Sequence, residues 1–330
     1  MFITVFVPTY CRPQDLKCCL DALSQQTRLP EQVIVTIRDI DRETWELIEN
    51  STFESFPVVT LKVTEPGSLA AHNAAFRILE GDIVAITDDD AAPRPDWLAR
   101  IEELYTARPE VGGFGGRDIL YRDGELVEGD LQANVGLITW FGRVIGNHHL
   151  GCGGLREVDQ LKGVNSSFRV ELLKNFEYDK CLKYMATHTS WDLNLSLYTK
   201  ARGWKLIYDS NLLVDHYSGR RVGMAERPSV TTQLNYDAQK LVNGIFNQTY
   251  VALSYLPNSK KLTFLAWSIL VGNRGRRGLL QAVRFLPSEG FFAIQKFADN
   301  LKGRWLGWQQ WRRNSKTKIN PKIRKPLNHV

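Results

Sequence analysis

The sequence predicts an α/β fold with a mainly parallel sheet and helices on both of its faces, followed by a helical C-terminal region. Three observations support this prediction. Short apolar runs alternate with segments of helical periodicity through the first third of the chain. A run of three acidic residues directly follows one of these apolar runs. Beyond about residue 224 the character changes to apolar segments flanked by basic residues.

The alternation can be followed element by element. Apolar runs with the length of buried strands lie at residues 3–7, 32–37, 58–63 and 83–87. Helices are predicted between and after them, from residue 13, over 43–50, over 68–79 and from about residue 95. Strands that alternate with helices imply parallel crossover units, and therefore a mainly parallel sheet.

Polar residues follow three of the predicted strands at the point where each strand ends. They are Pro8-Thr9-Tyr10, Arg38-Asp39 and Asp88-Asp89-Asp90. Because ligands of such sheets bind outside the carboxyl ends of the strands, these segments are expected to share one binding edge.

The segment that follows is rich in glycine. Gly-Gly-Phe-Gly-Gly at residues 112–116 has no Lys-Ser/Thr after it, so it is not a phosphate-binding P-loop. The segment is interpreted as turns and close backbone packing.

The composition is that of a globular protein. The chain has 330 residues, of which 43% are hydrophobic and 24% charged, with a formal net charge of +6. Its five cysteines show no CxxC spacing, which argues against a disulfide framework or a zinc ribbon. The apolar run at the N-terminus is too short for a signal peptide, and no stretch approaches the ~20 apolar residues of a transmembrane helix. The expected location is the cytoplasm, with attachment at the cytoplasmic face of a membrane as the alternative.

A basic tail suggests a polyanionic partner. Nine basic residues and no acidic ones lie between Lys302 and Lys325. Trp305, Trp308 and Trp311 recur every three residues in this region, near one face of a predicted helix. Two interpretations stay open here: a helix lying in an anionic membrane interface, or a helical cap that packs on the preceding domain. The expected division is residues 1–225 as the catalytic domain and 226–330 as this C-terminal region.

The three consecutive aspartates point to a divalent cation. Their charges repel one another unless a cation or hydrogen-bond donors neutralise them. In an extended segment Asp88 and Asp90 point the same way and can converge, while Asp89 points elsewhere. Carboxylate oxygens suit Mg²⁺ or Mn²⁺, with substrate phosphates completing the coordination shell. The alternative is an acidic turn that caps the following helix.

Six segments, in order, resemble the motifs of family 2 glycosyltransferases. They are FVPTYCRPQDLKCCLDALSQQT at 6–27, SLAAHNAA at 68–75, TDDDAAPRPDWL at 87–98, GVNSSFR at 163–169, SWDL at 190–193 with GWKLIYD at 203–209, and VDH at 214–216. The resemblance covers residues 1 to about 220. It implies a GT-A fold, a Rossmann-like arrangement, and inverting transfer of a sugar from a nucleotide-sugar.

The resemblance also implies a role for each matching residue. Asp192 is expected to be the general base, and the metal site is expected to use Asp90, His216 and Asp88. The expected nucleotide-sugar-binding residues are Pro8, Thr9, Tyr10, Arg12, Asp39, Asn73, Asp88 and Asp89. Asn165 and Trp191 are expected on the acceptor side.

Two positions depart from the family pattern. Trp191-Asp192 stands where the family usually has Glu-Asp, so the base is kept and Trp191 is interpreted as a wall of the acceptor site. Arg38-Asp39 stands where the second strand usually ends in Asp-Asp. Asp39 is then expected at the nucleobase and Arg38 near phosphate, with a plain turn as the alternative for Asp39.

The function expected from these residues is transfer from a nucleotide-diphosphate-sugar, with a UDP-sugar favoured, to a hydroxyl of a glycan or lipid-linked acceptor. Polysaccharide or cell-envelope biosynthesis is the expected setting. Two alternatives are a sugar-nucleotide nucleotidyltransferase and a non-catalytic protein of the same fold that binds glycan or nucleic acid. Nucleic acid is the less expected partner.

Overall fold

The computed structural model describes residues 1–183, 190–218 and 236–317. It confirms the α/β class with a mixed, mainly parallel sheet and a helical C-terminal region. The basic residues beyond Thr317, among them Lys322 and Lys325, lie outside the described part of the chain.

The strands, in chain order, are β1 (Ile3–Thr9), β2 (Gln32–Arg38), β3 (Val58–Val63), β4 (Ile83–Ile86), β5 (Ala91–Pro93), β6 (Val111–Arg122), β7 (Glu125–Leu126), β8 (Leu137–Ile138), β9 (Val144–Ile145), β10 (Arg156–Glu157), β11 (Ser166–Arg169) and β12 (Lys205–Ser218). The helices are α1 (Pro13–Ser24), α2 (Arg42–Glu49), α3 (Ser68–Phe76), α4 (Trp97–Ala107), α5 (Val170–Leu173), α6 (Trp191–Ala201), α7 (Ala238–Tyr255), α8 (Asn258–Leu270), α9 (Leu279–Glu289) and α10 (Phe291–Thr317).

The first four strands form the parallel half of the main sheet in the order β4-β1-β2-β3, which agrees with the sequence prediction. The residues of β1 from Ile3 to Val7 are all buried. Continuous burial is the pattern of a parallel strand covered by helices on both faces, so an unbroken apolar run is required here.

The glycine-rich segment is a strand and not a series of turns. Residues 112–116 begin the twelve-residue β6, which pairs with β11 and runs parallel to β12. A side chain at Gly116 would place its Cβ 1.9 Å from the Leu212 carbonyl oxygen and 2.6 Å from the amide nitrogen of Asn165. The predicted close backbone packing is therefore correct, whereas the predicted turns are wrong.

The described residues form two compact units. The first contains Met1–Leu137, Ile145–Tyr178 and the chain from Gly203 to the end of β12, and so holds the ten-stranded sheet. The second contains Ile138–Val144 and the helices α6 to α10. The units differ from the predicted division at residue 225, because α6 groups with the C-terminal helices.

Close contact between α7 and α10 holds the second unit together. Gly303 and Gly307 of α10 face Ile245 and Thr249 of α7, and a Cβ on either glycine would lie within 2.8 Å of those side chains. Small residues thus let the two helix backbones approach. Within the described ranges, none of the helices is both long enough and apolar enough to cross a bilayer.

A fully buried histidine lies among aromatic rings under the sheet. The ring of His72 meets those of Phe6, Phe76 and Tyr178 edge-on, with centroids 5.0 to 5.8 Å apart, and its Nδ1 contacts the Ser68 carbonyl at 2.6 Å. Burial lowers the pKa of His72 to about 4. The imidazole is therefore neutral in the folded protein at neutral pH.

This histidine predicts a loss of stability in acid. Between pH 6.5 and 4 the unfolded chain binds a proton at His72 that the folded chain does not bind. The free energy of unfolding should therefore fall by up to about 3 kcal/mol across this range. In urea unfolding at pH 7 and pH 4.5, His72→Gln should show a smaller fall than the parent protein. The comparison variant is His149→Gln: burial also lowers the pKa of this half-buried imidazole, so the variant should reduce the fall, but by less than His72→Gln does. An equal fall in parent and His72→Gln would contradict the prediction.

Candidate functional site

Strand pairing brings a histidine from late in the chain to the aspartate run. The short β5, which follows Asp90 directly, pairs antiparallel with β12 so that Ala91 lies opposite His216. The backbone N–H of Tyr217 donates to the carbonyl oxygen of Asp90 at 2.8 Å. His216 is thereby held beside the carboxyl end of β4, although more than a hundred residues separate it from Asp90.

Asp88, Asp90 and His216 each direct a ligand atom into one place, and these atoms all lie within 4.8 Å of one another. The His216 Nε2 is 3.5 Å from Asp90 Oδ1. That carboxylate oxygen is buried and accepts no hydrogen bond from the described residues. Two carboxylates and an imidazole are donors that a divalent cation accepts, so the residues fit a metal site.

Arg12 neutralises the other side of the run. Its guanidinium lies 2.5 Å from Asp89 Oδ1 and 2.7 Å from Asp90 Oδ2. The side chain of Asp89 is fully buried. The nucleotide-sugar contact expected for Asp89 therefore stays a prediction, because here its side chain is buried against Arg12. It anchors Arg12, and Arg12 in turn holds the start of α1 against the end of β4.

The pKa values of Asp89 and Asp90 are shifted in opposite directions by their surroundings. Complete burial raises the pKa of Asp89 to about 8, although Arg12 opposes the rise. Burial acts in the same direction at Asp90, but His216 and Arg12 outweigh it and lower the pKa of Asp90 to about 2. At neutral pH Asp90 is therefore ionised, as a metal ligand must be.

A second ion pair, which the sequence did not predict, holds the histidine. His216 Nδ1 lies 3.4 Å from Asp118 Oδ2, and the Lys162 ammonium is paired with the same carboxylate oxygen. Burial alone would lower the pKa of His216, but Asp118 and Asp90 raise it to about 9. In the sequence, the signal for this pair is an aspartate, Asp118, that follows the apolar and glycine-rich start of β6. The structure buries its side chain fully, and a buried charge needs a partner.

The ends of β1 and β2 form a second group of predicted residues. Thr9 is buried, whereas Tyr10 is exposed and lies under the Arg38 guanidinium at 5.9 Å from the ring centre. Asp39 is exposed next to Arg38. The half-buried Pro8 precedes them. The sheet thus brings these segments to its carboxyl edge, where the Tyr10 ring and the Asp39 carboxylate are exposed. The half-buried Arg38 donates to the Val63 carbonyl oxygen.

The buried carboxylate of Asp41, which no sequence motif indicated, links two loops at this edge. Cys11 has a left-handed backbone with φ of 52°, and its N–H donates to Asp41 at 2.5 Å. Asp41 also accepts hydrogen bonds from the backbone and hydroxyl of Thr44 and so caps α2. The loop after β1 is therefore fastened to the loop after β2.

The side-chain amides of two predicted binding residues are hydrogen-bonded within the protein. The amide of Asn165 is completely buried, accepts from Trp97 Nε1 at 2.9 Å and donates to the Leu212 carbonyl at 2.8 Å. The amide is thus engaged in the core, and the acceptor-side role expected for Asn165 stays a prediction. The amide of Asn73 exchanges two hydrogen bonds with the backbone of Tyr178. The donor contact expected for Asn73 stays a prediction.

The predicted base belongs to the second unit. Trp191 and Asp192 begin α6, and both side chains are half-buried. Asp192 Oδ1 accepts from the N–H of Leu193 at 2.7 Å. A carboxylate in the first turn also interacts favourably with the helix N-terminus.

A mainly parallel sheet with an acidic cluster and a histidine at its carboxyl edge defines the class as a GT-A glycosyltransferase. The chain matches glycosyltransferase like family 2 over residues 2–230 and belongs to that family. It is therefore a transferase enzyme, as predicted. This result sets aside the nucleotidyltransferase and the non-catalytic binding protein as alternatives.

Among characterised relatives, a glucosyl-dolichyl phosphate glucuronosyltransferase of Haloferax volcanii is 24% identical over 229 residues, which cover 66% of this chain and 69% of that protein. Two other glycosyltransferases, from Haemophilus influenzae and Haloferax volcanii, match this chain over only 36% and 34% of their own lengths.

Solved structures agree in fold. A mannosyltransferase of Pyrobaculum calidifontis, solved with GDP-Man and Mn²⁺, has a TM-score of 0.52 at 17% identity and covers 98% of this chain and 81% of its own. Staphylococcus aureus TarS with UDP-GlcNAc has a TM-score of 0.51 at 14% identity and covers 95% of this chain and 92% of its own.

The contacts of Arg12 with two buried carboxyl groups predict that removing its charge destabilises the protein. Arg12→Gln should lower the free energy of unfolding at pH 7 by about 3 kcal/mol, because it leaves the buried carboxyl groups of Asp89 and Asp90 without the guanidinium that pairs with both. Asp89→Asn should cost less, because burial already favours the neutral form of that group. Urea unfolding of both single variants and the double variant gives the coupling energy. A coupling below about 0.5 kcal/mol would show that the ion pair has no stabilising role.

Proposed function

We propose that the protein transfers a sugar from a UDP-sugar to a hydroxyl group of a lipid-linked glycan, with inversion at the anomeric carbon. The observation that carries the proposal is the convergence of Asp88, Asp90 and His216 on one point at the carboxyl edge of the sheet. Ligands bind at this edge in sheets of this kind, and the leaving group of such a donor is a diphosphate.

In this proposal Asp88, Asp90 and His216 hold one Mn²⁺ or Mg²⁺ ion. When bound, the ion supplies the positive charge that stabilises the diphosphate leaving group. Asp90 is ionised at neutral pH, whereas His216, whose pKa is raised to about 9, would release its proton when the ion binds. His216 is kept in place by Asp118, so its ring is oriented before any ligand arrives. The solved mannosyltransferase contains Mn²⁺, which supports a metal of this kind.

The donor's nucleoside is proposed to bind at the ends of β1 and β2. Tyr10 offers a ring face for the base, Asp39 a carboxylate for polar groups of the base, and Arg38 a cation near the phosphates. Pro8 and Thr9 contribute the backbone of this loop. Arg12 takes part indirectly, because its guanidinium is already engaged by Asp89 and Asp90. UDP is favoured among nucleotides because the TarS structure contains UDP-GlcNAc, and GDP-Man in the mannosyltransferase is the main competitor.

Asp192 is proposed as the general base that accepts the proton of the acceptor hydroxyl as it attacks the anomeric carbon. A single displacement needs one such base and inverts the configuration. Trp191 is proposed as an aromatic wall for the acceptor sugar. A lipid-linked acceptor is supported by the relative whose name specifies glucosyl-dolichyl phosphate, and cell-envelope or surface polysaccharide synthesis is the corresponding setting.

The metal proposal predicts a selective loss of donor turnover. With Mn²⁺ present, Asp90→Asn should lower kcat for release of UDP from a UDP-sugar at least about 100-fold, because the leaving-group charge loses its stabilisation. EDTA should have the same effect on the parent enzyme, and Mn²⁺ or Mg²⁺ should reverse it. The matched control is Asp21→Asn, an exposed residue of α1 paired with Lys17. Full activity of Asp90→Asn, or of the EDTA-treated enzyme, would contradict the proposal.

The base proposal predicts a different pattern. Asp192→Asn should lower kcat for transfer by about 100-fold or more and leave the Kd for the nucleotide-sugar within about twofold, because the base acts on the acceptor. Single-turnover transfer and equilibrium donor binding separate these effects. A weakened donor affinity with unchanged kcat would assign Asp192 to donor binding instead. Nuclear magnetic resonance of the product reports whether the anomeric configuration is inverted.

A further inference from the structure

The outward face of α9 is apolar, which is the reverse of the usual arrangement in a helix at a protein surface. Ala282 is buried and Phe285 half-buried on the inner side. On the outer side the exposed side chains are Leu279, Leu280, Val283 and Leu286, with exposed fractions of 46%, 60%, 60% and 42%. An outward helix face in water normally carries polar residues.

The apolar surface continues into α10. Phe291, at 76% exposure, and Ile294, at 44%, follow α9 directly in the chain. Further along the same helix Leu301, Trp305 and Leu306 are also exposed. The spacing from Phe291 through Ile294, Leu301 and Trp305 keeps these residues on one side of α10. We call Leu279, Leu280, Val283, Leu286, Phe291 and Ile294 the α9–α10 face.

Basic residues outnumber acidic ones on the helices that carry this apolar surface. Residues 271–317 contain ten basic side chains and two acidic ones, Glu289 and Asp299. Both acids are engaged: Glu289 pairs with Arg277 at 2.5 Å, and Asp299 accepts the hydroxyl of Tyr236 at 2.5 Å. Three of the ten cations are buried, and the exposed ones include Arg284 on α9 and Lys302 on α10.

We propose that the α9–α10 face lies in the interfacial layer of an anionic phospholipid bilayer. The apolar side chains enter the boundary between headgroups and acyl chains, and Arg284 and Lys302 meet the lipid phosphates. With 11 residues, α9 is about 16 Å long, so it lies along the surface and does not cross the ~30 Å hydrocarbon layer.

Charge distinguishes a bilayer from a second copy of the chain as the occupant. A symmetric dimer would bring the same positively charged surface of both protomers together, and like charges across an interface are unfavourable. An anionic lipid surface is attracted by those charges. The inference does not depend on the transferase chemistry, because it rests only on the surface of the second unit.

The lipid contact differs from the tryptophan-rich helix expected from the sequence. Trp308 and Trp311 are half-buried, and the Lys261 ammonium of α8 lies 5.3 Å from the Trp311 ring centre. These two rings therefore belong to the packing of the second unit. Trp305 alone of the three is exposed, at 56%.

The test is co-sedimentation of the full-length protein with vesicles, in the absence of any nucleotide-sugar. The parent protein should bind vesicles of phosphatidylcholine with 30% phosphatidylglycerol, and should bind pure phosphatidylcholine at least about tenfold more weakly. The double variant Leu280→Gln/Val283→Gln should lower the partition coefficient for the anionic vesicles by about tenfold or more. Arg284→Gln/Lys302→Gln should also weaken binding to the anionic vesicles, by at least about fivefold.

The matched control is Leu131→Gln, which changes a side chain of the first unit with 58% exposure and should leave binding within about twofold. Circular dichroism and thermal melting check that every variant is folded. The proposal is overturned if the parent protein does not bind anionic vesicles, or if folded Leu280→Gln/Val283→Gln binds as the parent does. Light scattering provides the other decisive outcome: a parent dimer that this double variant converts to a monomer would assign the face to a second copy of the chain.

Discussion

Three adjacent carboxylates at the end of β4 must be neutralised, and much of the first unit is arranged around this constraint. Arg12 approaches from the start of α1 and contacts Asp89 and Asp90. His216 approaches from β12 on the other side. These partners come from segments that are distant in sequence, the start of α1 and the strand β12, so both segments are tied to the end of β4. The same arrangement leaves one ionised carboxylate oxygen without a hydrogen bond, in the position where a cation would be held.

The second unit is organised by helix packing and not by charge balance. Its helices α7 and α10 approach through glycines, which buries the inner side chains tightly. The apolar side chains that remain outside, on α9 and the start of α10, are too numerous for a helical surface in water. Exposed cations lie on the same two helices, Arg284 on α9 and Lys302 on α10. A bilayer with anionic lipids satisfies both features, whereas either feature alone would leave the occupant undecided.

Motifs identified the residues that hold the proposed metal but not the residues that support them. Asp88, Asp90 and His216 were expected from the resemblance, and the structure brings them together. Asp118 and Lys162 belong to no recognisable motif, because their importance arises only from the pairing of β6 with β12. Asn165 shows the opposite case. Its motif was recognised, but a motif does not reveal whether a side chain faces a ligand or the core.

The sequence by itself determined the parallel half of the sheet, because continuous apolar runs and helical periodicity are local patterns that survive without tertiary information. It also predicted that Asp88 and Asp90 converge, which the structure shows, although Asp89 and Asp90 lie in a turn and not in the extended segment that the prediction assumed. Only the tertiary structure decided that residues 112–116 form a strand and that α6 belongs with the C-terminal helices. Likewise, only strand register placed His216 opposite Ala91. Register depends on contacts between distant segments, and shifting it by one residue would turn the side chain to the other face of the sheet.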